Sequence, residues 1–308
     1  MSILATTITR YYYEHFEELP EDKQFHFVSR LSAWNADPKA LRIIEEFRAD
    51  MSPTNPAEFL RELIDHPPTA KVNAATRRGP YFDKYPSLRG TMLALFRVRH
   101  LLFHYDIDVR QDLLKTTPLD NIYALSDALQ NDDEAMMILS TYAINYIYLV
   151  EVILFPRGTD ITALLERIIA STSRFKNTPE DSLLLIYLFT HCIIGQSNFY
   201  QSSIDTDKHP LYRRMLQTIE QLIAENFNSI NLDNKFEFLV CCRLARFDTP
   251  LFDRIHAEAL QSKSSKGDFL VDTINDAGQS DKTSFVDSEH RNVLYIMSCS
   301  EFRSLTRQ

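Results

Sequence analysis

The sequence predicts an all-α protein whose antiparallel helical hairpins form an α/α toroid or an open horseshoe or solenoid. Three observations point there. Apolar residues recur three and four apart along most of the chain, as in Val109–Lys115, Leu119–Leu129 and Ile161–Ala170. A cap residue or proline followed by acids, the signature of a helix start, recurs at Pro20-Glu21-Asp22, Asn55-Pro56-Ala57-Glu58, Thr117-Pro118, Asn131-Asp132-Asp133-Glu134 and Thr178-Pro179-Glu180-Asp181. Alternating apolar–polar runs bounded by Asn-Gly or Asp-Gly, which would mark hairpins of strands, do not occur.

Taken in order, residues 1–64 form an N-terminal helical part. The segment 65–88, DHPPTAKVNAATRRGPYFDKYPSL, is rich in proline and reads as a connecting loop. The main helical domain, 89–308, divides into helices near 88–106, 109–115, 118–130, 132–155, 160–174, 179–200, 208–228, 233–247, 249–262 and 287–303. Their connections are short, which makes successive helices antiparallel neighbours. No fixed repeat period runs through them. A polar loop at 262–289 precedes the last helix and has the length expected of a lid or a functional loop. Within the main domain, AMMILSTYAINYIYLVEVILF (135–155) carries no charge before Glu151. Its Ser140, Thr141, Asn145 and three tyrosines make it the central helix of a large core rather than a membrane span.

Composition removes several classes. A net charge of −9 is wrong for coating a nucleic acid. Six glycines, none clustered, leave no phosphate loop or dinucleotide fingerprint. The four cysteines, Cys192, Cys241, Cys242 and Cys299, have no disulfide-framework spacing and read as reduced thiols of a cytoplasmic protein. The N-terminus lacks the pattern of a secretion signal.

Two sets of residues could carry chemistry. The first is a histidine–carboxylate set: His191 in an apolar helix, Asp233 and Glu237 four apart on one helix face, and His290 at the start of the last helix. Inward side chains from separate helices of a bundle or toroid can converge. These four would then suit a divalent metal such as zinc, or acid–base catalysis by a histidine that a carboxylate positions. The competing reading is structural. His191 would be a core histidine bonded to the next helix, Asn234 and Glu237 a capping box, and His290 a first-turn residue after the cap Ser288.

The second set is basic. From residue 71 to 99, seven bases (Lys71, Arg77, Arg78, Lys84, Arg89, Arg97, Arg99) face one acid, Asp83, a local charge of +6. Tyr81, Phe82 and Tyr85 lie among them. Arg77, Arg78, Tyr81, Lys84 and Arg89 are therefore the candidate ligand-binding residues for an anionic small molecule or an acidic protein partner. The alternative is that these bases neutralise the protein's own acids. A third grouping, His100, His104 and Asp106, lacks the glutamate that a zinc protease places after its first histidine.

Thr190-His191, then Asp233-x3-Glu237 with Cys241, then His290 ahead of Asn292-Val293-Leu294-Tyr295-Ile296-Met297-Ser298-Cys299, resembles a pattern in uncharacterised bacterial all-α proteins that look like distant relatives of α/α toroids. The resemblance covers about residues 140–303. It implies a helical toroid or horseshoe with His191 and His290 facing inward, and it implies no reaction. The chain lacks the aspartate-rich motif of terpene synthases and the glycine-rich zinc framework of lanthionine cyclases. Its one tryptophan, Trp34, does not supply the aromatic platforms of toroidal glycosidases. The expected function is a helical binding or scaffold protein whose concave groove takes an anionic ligand. The alternative is a toroid enzyme, metal-dependent or not, acting on a small molecule or peptide at the His191–Asp233–Glu237–His290 set.

Overall fold

In the computed structural model of the chain, the described residues are 2–50, 56–67, 77–154, 161–172, 178–272 and 284–303. Lys71 and the loop segments 68–76 and 273–283 lie outside them. Among the described residues the protein is all-helical, with sixteen α-helices and, in place of strands, a single isolated bridge between Lys263 and Leu270. The chain forms two compact units. Unit 1 combines 1–44 with 197–308, and unit 2 is the continuous stretch 45–196. This division differs from the linear one read from the sequence at 65–88, because the N-terminal helices join the C-terminal ones.

Unit 1 contains α1 (Ile3–Glu14), α2 (Glu21–Asn35) and the start of α3 (Pro38–Asp50), in which the unit boundary falls. It resumes with α13 (Pro210–Glu225), α14 (Leu232–Ala245), α15 (Phe252–Gln261) and α16 (Glu289–Ser298). α16 is the hub and packs against α1, α2 and α14, while α14 also packs against α13 and α15. Every α16 residue except His290 is buried, as expected of a helix enclosed on several sides. Burial obliges its polar groups to find partners. Asn292 meets this by bonding both backbone groups of Leu270 at 2.8 and 3.0 Å. Asp272 accepts from the Leu232 N–H at the start of α14 at 3.0 Å. The stretch 262–272 of the polar loop is thus bonded to α14 and α16. The cap of α14 is Asn231, whose side chain accepts from the Asn234 N–H at 2.9 Å. The capping box expected on Asn234 and Glu237 is therefore displaced by one turn, and Glu237 lies inside the helix, buried.

Unit 2 contains the remainder of α3, then α4 (Pro56–Asp65), α5 (Gly79–Lys84), α6 (Leu88–Tyr105), α7 (Arg110–Thr116), α8 (Leu119–Gln130), α9 (Asp133–Leu139), α10 (Thr141–Ile153), α11 (Ile161–Ser171) and α12 (Pro179–Gln196). α10 is its centre and packs against α6, α8, α9 and α12. The single helix expected over 132–155 is two helices, bent by 105° at Ser140. Ser140 carries φ 44° and ψ −105°, a backbone state that no helix continues through. Arg78 sits at the break, donating to the Ile138 carbonyl at 3.1 Å and the Ser140 hydroxyl at 2.9 Å. It supplies a cation at the end of α9, where the helix dipole favours one. Among the described residues no single helix is long and apolar enough to cross a membrane.

The helix expected to run to residue 200 stops at Gln196. The next residues, Asn198, Phe199 and Tyr200, all have positive φ, at 51°, 52° and 72°. Three consecutive non-glycine residues in the left-handed region cost on the order of 1–2 kcal/mol each. Ser197 offsets part of that: its hydroxyl accepts from the Tyr200 N–H at 2.9 Å, and its carbonyl accepts from Gln201 and Ser202, each at 2.9 Å.

Candidate functional site

A polar cluster of unit 1 lies at the N-terminal end of α16. Glu289 is the first residue of that helix, and its side chain is 0% exposed. A carboxylate so placed needs counter-charge or strong hydrogen bonds. His26 of α2 provides the hydrogen bond: its Nδ1 lies 2.8 and 3.0 Å from the two Glu289 oxygens. Lys23, one turn earlier on α2, adds its ammonium at 3.6 Å. Burial alone would raise the Glu289 carboxyl. The attraction of His26, with its hydrogen bond, and of Lys23 outweighs that, so the group is held below the ordinary carboxylate value.

The other ring nitrogen of His26 faces Arg30, one turn further along α2. The Arg30 Nε donates to His26 Nε2 at 3.4 Å, a long bond. With a carboxylate on one side and a guanidinium on the other, the hydrogen-bond network assigns the proton to Nδ1 and the lone pair to Nε2. The guanidinium of Arg30 also lies over the Tyr200 ring, 4.2 Å from its centroid. Tyr200 is the last residue of the left-handed turn, and Trp34 meets its ring edge-on at 6.4 Å. The strained turn therefore sets the ring on which Arg30 rests, and Arg30 in turn faces His26. Lys23, His26 and Arg30 share one face of α2. The side chains of Lys23 and His26 are 30% and 26% exposed, so the stripe is open to solvent above its buried carboxylate.

His290 stands beside this stripe, its ring 5.3 Å from that of His26. Burial first, then the neighbouring His26, push its pKa from 6.5 down to about 3. It is therefore a neutral imidazole at ordinary pH. Glu237 and Glu289 act on it in the opposite sense and are outweighed. Asp233, at the start of α14, accepts from the Arg291 Nε at 3.1 Å. Of the four residues of the histidine–carboxylate set, three thus belong to unit 1: Asp233 pairs with Arg291, and the charge of Glu237 acts on His290. His191 belongs to unit 2, where its Nδ1 lies 3.0 Å from the Asn145 Oδ1 of α10. That is a bond to the next helix, the structural role weighed for it. Among the described residues no group of three or more His, Cys, Asp or Glu side chains is gathered as metal ligands are.

The basic set of unit 2 is largely engaged with that unit's own groups. Arg77, 39% exposed, pairs with Asp181, 7% exposed. Lys84, 58% exposed, pairs with Asp132 at 2.6 Å, and Tyr85 donates to the same carboxylate at 2.7 Å. Burial and then Glu134 push the Tyr81 phenol up to about 12. Arg78 is taken up by the α9–α10 break and lies 5.7 Å from the Tyr142 ring centroid. Arg89 lies over Phe82 at 5.5 Å. The acids that answer these bases are Asp132 and Asp181, and the interleaved aromatics carry several of the cations. Elsewhere in the unit, Asp106 pairs with Arg48 at 3.0 Å, and the rings of His100 and His104 lie 5.9 Å apart.

Sequence reasoning missed His26, Arg30, Tyr200 and Glu289. His26 and Arg30 are four apart on one helix, a spacing that marks a shared face. Nothing local sets Glu289 apart from other acids near a helix start, and nothing in the residue types 198–200 announces a left-handed turn. No family model, curated protein or solved structure matches the chain.

Proposed function

We propose that the chain is a helical binding protein that takes an anionic small molecule or the acidic group of a protein partner, and that α2 presents the site. The observation that carries this reading is the stripe Lys23–His26–Arg30, whose cations are held in place before any ligand arrives. Arg30 rests on Tyr200, and His26 is fixed by a buried carboxylate. Lys23 and Arg30 set two positive charges against Glu289, and a proton on His26 would make three. Groups already oriented lose little freedom on binding, and a guanidinium matches a carboxylate or phosphate in shape. The reading extends to an α/α toroid or open horseshoe of helical hairpins and to a cytoplasmic location. The short connections between successive helices and the absence of a membrane-length helix among the described residues are in keeping with it.

The test is calorimetric titration with inorganic phosphate and with a short polyglutamate peptide, at low and high salt. It compares wild type, the pair Lys23→Ala/Arg30→Ala and the pair Arg77→Ala/Arg78→Ala. Loss of affinity of about tenfold or more in the first pair, and weakening by salt, is the expected result. Equal affinity in wild type and the first pair overturns the assignment to α2. A loss confined to the second pair moves the site to the 77–89 face of unit 2.

One observation favours a second reading. A half-exposed histidine oriented by a fully buried carboxylate is the arrangement that general acid–base catalysis uses. In that reading His26 transfers the proton and Arg30 holds a negatively charged substrate group. Incubating a small-molecule extract with wild type and with His26→Asn, and comparing the two by mass spectrometry, tests it. No compound consumed by wild type alone would remove it.

A further inference from the structure

Residues 300–303, which follow α16, fold back on the last turn of α2, where Trp34 stands. The Arg303 N–H donates to the Trp34 carbonyl at 2.8 Å. The Trp34 indole N–H donates to the Ser300 hydroxyl at 3.1 Å, and that hydroxyl donates to the Ile296 carbonyl at 3.0 Å. The Phe302 ring lies against the indole, with 5.0 Å between centroids and a tilt of 58°. Trp34 is fully enclosed, while Phe302 is half-buried. The indole in turn meets the Tyr200 ring, which carries the Arg30 guanidinium. We infer that Phe302 is a positioning residue of the α2 site, holding Arg30 in its anion-binding place through Trp34 and Tyr200. The inference rests on the reading of α2 as an anion site and adds to it a residue that touches no ligand.

Three features support this. First, Arg30 depends on its ring. Its guanidinium is held by the face of Tyr200 and by the long 3.4 Å bond to His26. Second, Tyr200 depends on what packs against it. It is 3% exposed and ends a run of three left-handed residues, and such backbone persists only where its surroundings over-determine it. Third, the indole between them is enclosed and bonded through its N–H, and a close-packed interior passes a displacement on rather than absorbing it. Without the Phe302 ring the indole is one wall short, and Tyr200 and Arg30 lose their fixed places. Lys23 gives the internal contrast, because Glu289 anchors it directly at 3.6 Å.

The experiment follows the arginine Nε–H signals of the native full chain by NMR. It also titrates the chain with inorganic phosphate and the polyglutamate peptide by calorimetry. The Arg30 signal is the one lost in Arg30→Ala. A donor held over an aromatic face is shifted upfield, so in wild type this signal should stand upfield of those of exposed arginines. Phe302→Ala should return it toward them, and Phe302→Tyr, which keeps the ring, should leave it in place. Anion affinity should fall by about three- to tenfold in Phe302→Ala, the cost of ordering a side chain no longer held, and stay unchanged in Phe302→Tyr. In an Arg30→Ala background Phe302→Ala should cost nothing further, whereas in Lys23→Ala it should cost the same again. A ring that only stabilises the fold gives no such pattern. An Arg30 signal at the ordinary position in wild type overturns the inference, as does a signal unmoved by Phe302→Ala. Wild type that binds neither anion removes the α2 reading and the inference together, whereas equal binding by wild type and Phe302→Ala removes the inference alone. If Phe302→Ala does not fold, Phe302→Leu keeps apolar bulk without the ring and gives the same comparison.

Discussion

His26 and Glu289 lie 263 positions apart in the chain and 2.8 Å apart in the fold. The bond fastens α2 to the hub helix of unit 1 and places an imidazole and an ammonium beside one enclosed carboxylate, with a guanidinium on the far side of the imidazole. Its neighbour His290 makes the same region sensitive to acid.

His290 binds its proton at about pH 3 when folded, against an ordinary 6.5 when the chain is open. Between those values the unfolded chain holds the extra proton, so stability falls as the pH drops from 6.5 toward 3. The slope is at most about 1.4 kcal/mol per pH unit for one proton. Glu289, held below its ordinary value, acts in the same direction: its contribution is full above the ordinary carboxylate pKa and is lost as the pH falls through the folded one. Urea denaturation midpoints measured from pH 4 to 7 should rise with pH and level off above 6.5. His290→Asn should flatten that rise, and an unchanged slope would show that the imbalance in protons arises elsewhere.

Arg246 ends α14 in the left-handed region, with φ 49°, and is exposed. A glycine there loses no packing and relieves the steric cost of a side chain at positive φ. Arg246→Gly should raise stability by roughly 0.5–1 kcal/mol. A lowered melting temperature would mean that the arginine makes a contact worth more than the strain.

Glycine matters at two helix crossings. A methyl on Gly90 of α6 would fall on the backbone of Ile64 in α4, and one on Gly195 of α12 would fall on the Tyr148 ring in α10. Alanine gains about 1 kcal/mol of helix propensity over glycine, but overpacking typically costs about 1–3 kcal/mol. Both substitutions should destabilise unit 2, Gly90→Ala more, because a ring can turn aside and a backbone carbonyl cannot. Equal or higher melting temperatures would show that the helices move apart without cost.

The basic face of unit 2 allows a graded comparison. Lys84 is exposed and Asp132 keeps Tyr85 and the Ala135 N–H as partners, so Lys84→Ala should change stability little. Arg77 faces the buried Asp181, and Arg77→Ala should cost more, about 1–3 kcal/mol after allowance for the exposure of the arginine. Chemical denaturation of the two variants decides the order, and equal losses would count against a special role for the Asp181 pair.

Much of the fold was legible because helix starts are written locally. The signals at Pro20, Pro118 and Asp132 each precede a helix in the structure, and Pro56 and Pro179 are the first residues of theirs. What was not legible depends on residues far apart in the chain. The apolar run 135–155 fits an unbroken helix, and the bend at Ser140 is bonded by Arg78, some sixty positions earlier. The same holds for the site. His290 and Glu237 were visible as residue types, but their neighbours His26 and Arg30 come from the other end of the chain. His191, the most conspicuous polar group of an apolar helix, is satisfied by Asn145 within its own unit.

The interleaved order of the two units bears on how the molecule is made. Residues 45–196 emerge from the ribosome as one stretch and can close on themselves, whereas α1 and α2 must wait for partners encoded more than two hundred positions later. Until α16 is translated, the apolar faces of those first helices have nothing to cover them. A premature stop ahead of residue 289 would therefore leave unit 1 with no hub to assemble on.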